Sequence, residues 1–170
     1  MKSLILEGFM GCGKSRIAKE LSEDTGLALI DTDNLIEKEN GMRISQIFES
    51  YGEEAFRDME TKLLQKLKND GKCGIISLGG GMPVREKNRE ILKELGTVAY
   101  LKAGKQLLIK RLEHGVEKRP MLKGHDLEER VDSLLKEREG AYLDAADLVV
   151  SVENAEVSEV VFKVRKAAGI

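Results

Sequence analysis

The stretch Gly8-Phe9-Met10-Gly11-Cys12-Gly13-Lys14-Ser15 decides how the rest of the chain is read. It matches G-x-x-x-x-G-K-[ST] in full, follows the short apolar run Leu4-Ile5-Leu6, and precedes Ile17, Ala18 and Leu21 at helical spacing. Strand, glycine-rich loop and helix in that order make a phosphate-binding loop. Glycines let backbone N–H groups turn inward around an anion, and the helix N-terminus adds its partial positive charge. Gly11, Cys12, Gly13, Lys14, Ser15 and Arg16 are therefore the candidate nucleotide contacts. Lys14 is expected to reach the β- and γ-phosphates of a nucleotide, and the Ser15 hydroxyl to take a place on Mg²⁺. The competing explanation, a chance match in a glycine-rich loop, does not account for the flanking strand and helix. A dinucleotide fold is excluded, because Lys14-Ser15-Arg16 follows Gly11-Cys12-Gly13 and the third glycine of G-x-G-x-x-G is missing.

Outward from the loop, short apolar runs alternate with helical patterns. Strands are expected at Leu4–Leu6, Leu27–Ile30, Ile75–Leu78, Val98–Leu101 and Leu148–Val152. Helices are expected over about 44–67, 85–95, 104–114, 126–140 and 156–167, with a further helical segment opening after Asp33. Short strands that are apolar on both sides and alternate with helices imply an α/β fold, a parallel sheet with helices on both faces and right-handed crossovers. The site should lie at the C-terminal edge of the strands. Residues of about 112–125, with two glycines, one proline and several cations, read as a mobile lid, or as a plain solvated connection.

The 170 residues fit one domain, 1–170. At 41% hydrophobic and 34% charged the chain is globular in composition, not disordered. A net charge of −2 gives no field to hold a polyanion, and 4% aromatic residues without Trp give few stacking platforms, so nucleic acid is not an expected partner. Two cysteines, Cys12 and Cys73, make no disulfide framework. Glu7 interrupts the N-terminal apolar run, and no later run reaches membrane-spanning length, so no membrane is expected and a cytoplasmic location is. Abundant Lys, Glu and Arg with few Asn and Gln is a pattern of heat-adapted proteins and equally of ordinary variation. His114 and His125 have no metal-ligand spacing.

No N-K-x-D guanine reader and no D-x-x-G switch segment occurs, which argues against a regulatory GTPase-like module. The third strand lacks the aspartate that commonly supports the metal. Asp31-Thr32-Asp33, at the end of the second strand, supplies carboxylates instead: one to hold Mg²⁺ through water, one to accept the proton of an attacking hydroxyl. Helix capping by Asp33 is the competing explanation. Arg57 and Glu60 lie one helical turn apart, as a planar fork for a substrate carboxylate or as a surface pair. Gly79-Gly80-Gly81 after an apolar strand suggests a ligand close to the backbone, where a strand exit would need one glycine.

Together these residues resemble shikimate kinase. The match runs through Gly8–Ser15, Asp31-Thr32-Asp33, Ile44-Ser45-Gln46-Ile47-Phe48, Gly52-Glu53-Glu54-Ala55-Phe56-Arg57, Gly79-Gly80-Gly81, Arg119-Pro120, and Arg138 with Tyr142. The resemblance implies a P-loop kinase of the nucleoside-monophosphate-kinase type. Its layout would be three-layer α/β/α with strand order 2-3-1-4-5. Its reaction would move the γ-phosphoryl of ATP to the 3-hydroxyl of shikimate, in aromatic amino-acid biosynthesis, with Mg²⁺ as cofactor and the chain expected to be a monomer. By resemblance, Asp33, Arg57, Gly79, Gly80, Gly81 and Arg138 bind shikimate, with Asp33 on the reacting hydroxyl and the two arginines on the carboxylate. Lys14, Asp33 and Arg119 are the implied catalytic residues, and Ser15 and Asp31 the implied metal ligands. Arg119 matches the lid arginine that closes on the phosphates, and Arg111 the one beside adenine. One departure stands out: the loop after the last strand, Ser151-Val152-Glu153-Asn154-Ala155, lacks the family's frequent adenine-contacting arginine, which leaves Asn154 or backbone to serve. Kinases of gluconate or of nucleotides are the nearest alternatives.

Overall fold

The computed structural model describes residues 2–115, 119–124 and 126–170. The expected lid thus falls partly outside the described residues, at Val116, Glu117, Lys118 and His125.

Five strands, β1 (Ser3–Glu7), β2 (Leu29–Asp31), β3 (Ile75–Ser77), β4 (Gly96–Lys102) and β5 (Leu148–Ser151), form one parallel sheet in the order β2-β3-β1-β4-β5. The central strand β1 is buried throughout, which is why its sequence is apolar on both faces up to Glu7. Leu4 and Leu6 pack toward α1 (Lys14–Thr25) and α7 (Val157–Ala168), in a cluster that includes Ile17, Leu21, Val160 and Val164. Ile5 packs on the opposite face with Leu64 of α3 (Ile44–Asp70), Ile91 and Leu92 of α4 (Glu86–Leu95) and Ala145 of α6 (Leu127–Ala145). Two faces covered by helices make the α/β/α sandwich. Each fully buried Leu or Ile contributes about 1.5–3 kcal/mol to holding it.

A smaller cluster lies apart from these two. Ile36 of α2 (Thr32–Asn40) packs on Ile47, Phe56, Leu63 and Leu67 of α3. The sequence reads residues 44–67 as one helix, but the chain breaks direction at Gly52, with φ 81° and ψ 173°. A side chain is strained at that φ, so glycine sits where the first part of α3 turns away from the second. α5 (Lys105–Leu112) ends two residues earlier than expected, and α6 runs on to Ala145, past the expected 140. No helix among the described residues is long and apolar enough to cross a membrane.

Candidate active site

β1 delivers the chain into the loop Gly8–Gly13, and α1 starts at Lys14. Gly11 and Gly13 have φ of 84° and 100°, the left-handed region where only glycine is unstrained. Lys14 folds back over the loop and donates from Nζ to the Gly8 carbonyl at 2.6 Å. The outer side of the loop is braced from α5, where Arg111 Nη1 donates to the carbonyls of Gly11 (3.2 Å) and Cys12 (3.0 Å). The Cys12 side chain is buried, so its part in the loop is packing. Cys73 is exposed in the turn before β3.

A cavity of about 590 Å³ opens over this loop, lined by Gly11–Arg16, Asp31, Asp33, Ser77, Arg111, Arg119 and an apolar wall of Val152, Ala155, Val157 and Val160. A second, of about 490 Å³, is lined by Phe48, Phe56, Arg57, Glu60, Gly79–Gly81, Pro120, Met121 and Arg138. Met10, Asp33, Gly80 and Arg119 line both. All the sequence-derived site residues therefore border one continuous cleft at the C-terminal edge of the sheet.

The competing explanation, helix capping by Asp33, does not hold. The helix cap is Asp31: its Oδ1 accepts from the Asn34 N–H at 3.0 Å. Asp33 sits inside the first turn of α2 and is free of capping duty. Burial pushes its carboxyl up to about 6, helped by the neighbouring Asp31 charge and opposed by Lys14. Between the two aspartates, the buried Thr32 hydroxyl donates to the Ser77 carbonyl (3.3 Å) and accepts from the Gly79 N–H (2.9 Å). Thr32 thereby ties the end of β2 to the exit of β3.

The pairing of Arg57 with Glu60 is buried, not a surface pair. Arg57 Nη1 donates to Glu60 Oε2 at 2.8 Å, and Nη2 donates to Glu53 Oε1 at 3.2 Å. Burial raises the Glu60 carboxyl to about 7, against the pull of Arg57. Glu60 Oε1 has no hydrogen-bond partner among the described residues. Arg138 is also buried, with its guanidinium 5.9 Å from the Phe9 ring centre and its Nε unpartnered. Two cations and an unsatisfied donor at the floor of the second cavity suit an anionic acceptor.

The glycine triplet has a more particular cause than close approach of a ligand. A Cβ on Gly79 would lie 2.5 Å from Asp33 Oδ1, and one on Gly81 would fall on the Arg57 guanidinium. The side chains of Asp33 and Arg57 occupy that space. Gly80 alone has ordinary room, and its carbonyl accepts from the Tyr142 hydroxyl. Arg119 donates to the Gly115 carbonyl at 2.9 Å. Glu7 is the residue the sequence reading passed over. It is wholly buried at the end of β1, neither carboxylate oxygen has a hydrogen-bond partner among the described residues, and burial drives it up to about 8.

Among the described residues no group of three or more His, Cys, Asp or Glu side chains forms a metal site. Ser15 and Asp31 nonetheless both line the first cavity, and the cap bond of Asp31 uses only its Oδ1. So sparse a donor set suits Mg²⁺, which keeps most of its waters and binds substrate phosphates.

A family model described as shikimate kinase matches residues 10–168. A shikimate kinase from Thermodesulfovibrio yellowstonii is 37% identical over 166 residues, 98% of this chain and 94% of the relative. Another, from Dictyoglomus turgidum, is 40% identical over 164 residues, 95% of this chain and 94% of the relative. Among solved structures, shikimate kinase from Acinetobacter baumannii in complex with shikimate superposes with a TM-score of 0.91 at 31% identity, covering 98% of this chain and 92% of that one.

Proposed function

The chain belongs to the shikimate kinase family and phosphorylates shikimate with ATP, and from that premise we propose how its residues carry the transfer. ATP takes the first cavity and shikimate the second, so that the γ-phosphoryl and the 3-hydroxyl meet at the junction. The observation that carries this reading is the set of residues common to both cavities, Met10, Asp33, Gly80 and Arg119. A phosphoryl acceptor and its base must stand at such a junction.

Asp33 accepts the proton of the 3-hydroxyl as the oxygen attacks the γ-phosphorus. Its carboxyl, raised to about 6, is ionised at neutral pH yet basic enough to take a proton. Lys14 leaves the Gly8 carbonyl for the phosphates once they enter the loop. Arg119 supplies positive charge on the acceptor side of the transferring group. Arg57 and Arg138 hold the shikimate carboxylate, and Phe48, Phe56 and Met121 wall the pocket against water. Ser15 and, through water, Asp31 would hold Mg²⁺, which would supply neutralisation of the phosphate oxygens.

Asp33→Asn, assayed by shikimate-dependent release of ADP, is expected to lower kcat on the order of 10²–10⁴-fold. Near-normal turnover would remove Asp33 from the role of base.

A further inference from the structure

Arg57 is shared between two carboxyl groups. One guanidinium faces two carboxylates, Glu60 at 2.8 Å and Glu53 at 3.2 Å. A substrate carboxylate arriving at the same guanidinium would make three. Like charges gathered at one cation repel unless one leaves or is protonated.

The two partners differ in their freedom to leave. Glu60 is 1% exposed and comes from the same buried turn of α3 as Arg57. Glu53 is 49% exposed, makes the longer contact, and follows Gly52, the break in α3. Its carboxylate can rotate into solvent without leaving an orphaned group behind. There it remains in the first turn of the second part of α3, where the positive helix end still favours a negative charge. Among the described residues, Arg57 is its only hydrogen-bond and ion-pair partner.

We propose that Glu53 stands in for the substrate carboxylate on Arg57 in the empty enzyme, and that shikimate must displace it to bind. Glu53 then sets the affinity for the acceptor without touching it. Part of the attraction between Arg57 and any anionic acceptor is offset by the contact that is broken, which weakens binding and favours release. The inference rests on the reading that Arg57 holds the acceptor's carboxylate.

The test is shikimate titration by calorimetry with steady-state kinetics, on the full chain and on Glu53→Gln, Glu53→Ala, Arg57→Lys and the double variant of Glu53→Ala with Arg57→Lys. Removing the competing charge is expected to lower the Kd and KM for shikimate about two- to fivefold, the range for a partly exposed ion pair. The KM for ATP is expected to stay put, and in the Arg57→Lys background the gain from Glu53→Ala is expected to shrink. A shikimate KM that is unchanged or higher in both Glu53 variants overturns the proposal, because it makes Glu53 idle or a support for Arg57. If Arg57→Lys leaves the shikimate KM untouched, the reading of Arg57 itself fails and takes the proposal with it. If Arg57→Lys raises it while the Glu53 variants show no gain, only the displacement idea fails.

Discussion

Replacing Glu7 with Gln should make the protein more stable at neutral pH while leaving its stability near pH 4 unchanged. Glu7 ends β1 with no exposed surface and, among the described residues, no hydrogen-bond partner for either oxygen. Burial is the largest influence on its carboxyl. Lys14 and Arg89 pull the other way and Asp147 adds to the rise, for a net move from 4.5 to about 8. The folded chain therefore holds a proton that the unfolded chain gives up. Stability from this group is fully present below pH 4.5 and is lost as pH rises through 8. At about 1.4 kcal/mol for each tenfold change in proton affinity, the loss is about 3 kcal/mol by pH 7 and about 5 kcal/mol above pH 8. Gln keeps the shape of the neutral acid and has no proton to lose. Urea denaturation of both proteins at half-unit steps from pH 4.5 to 8.5 isolates the effect, since Asp33, Glu60 and the surface pairs contribute to both and cancel in the difference. Two parallel stability curves would refute the reasoning, because they would mean that Glu7 ionises in the fold as readily as in the unfolded chain.

Four further outcomes follow from the site. Gly81→Ala places a methyl on the Arg57 guanidinium and should raise the shikimate KM at least about tenfold, since a displaced charge-assisted contact costs about 1.5–3 kcal/mol; an unchanged KM would show that Arg57 can move aside freely. Arg111→Ala removes two hydrogen bonds to the loop carbonyls and should raise the ATP KM several-fold with little effect on the shikimate KM, measured by varying each substrate in turn. Because the base must be ionised, kcat/KM for shikimate should rise with pH and level off above about 6, and Asp33→Asn should abolish that limb. Arg119→Ala should lower turnover far more than nucleotide affinity, as read by comparing kcat with the Kd of an ATP analogue.

The phosphate loop, the five strands and the cleft at their C-terminal edge were legible because each rests on local chemistry. Gly8–Ser15 needs its glycines and its lysine wherever it occurs, and Leu4-Ile5-Leu6 can be apolar on both faces only in a covered sheet. Burial was not legible in the same way. Arg57 and Glu60 at one-turn spacing look like any surface pair, and only the packing of Gly81 over the guanidinium shows why they lie inside. Whether Asp33 caps α2 could not be read locally, because Asp31 and Asp33 are equally good caps and the end of β2 chooses Asp31. Gly79 and Gly81 read as signs of a nearby ligand, while the nearby atoms belong to Asp33 and Arg57. Glu7 read as an interruption of an apolar run. Nothing local announces that a glutamate next to a phosphate loop will be wholly buried.

The most direct measurement is ³¹P NMR of the protein with Mg-ATP and shikimate, set beside gluconate and nucleoside monophosphates as acceptors. The account predicts a phosphomonoester signal coupled to the proton on C3 of shikimate, ADP in equal amount, and neither product with the other acceptors. It also predicts that the signal vanishes when Arg57 and Arg138 are both replaced by Ala in a protein that still binds ATP. Phosphoryl transfer to gluconate or a nucleoside monophosphate in preference to shikimate, or undiminished transfer to shikimate without the two arginines, would contradict it.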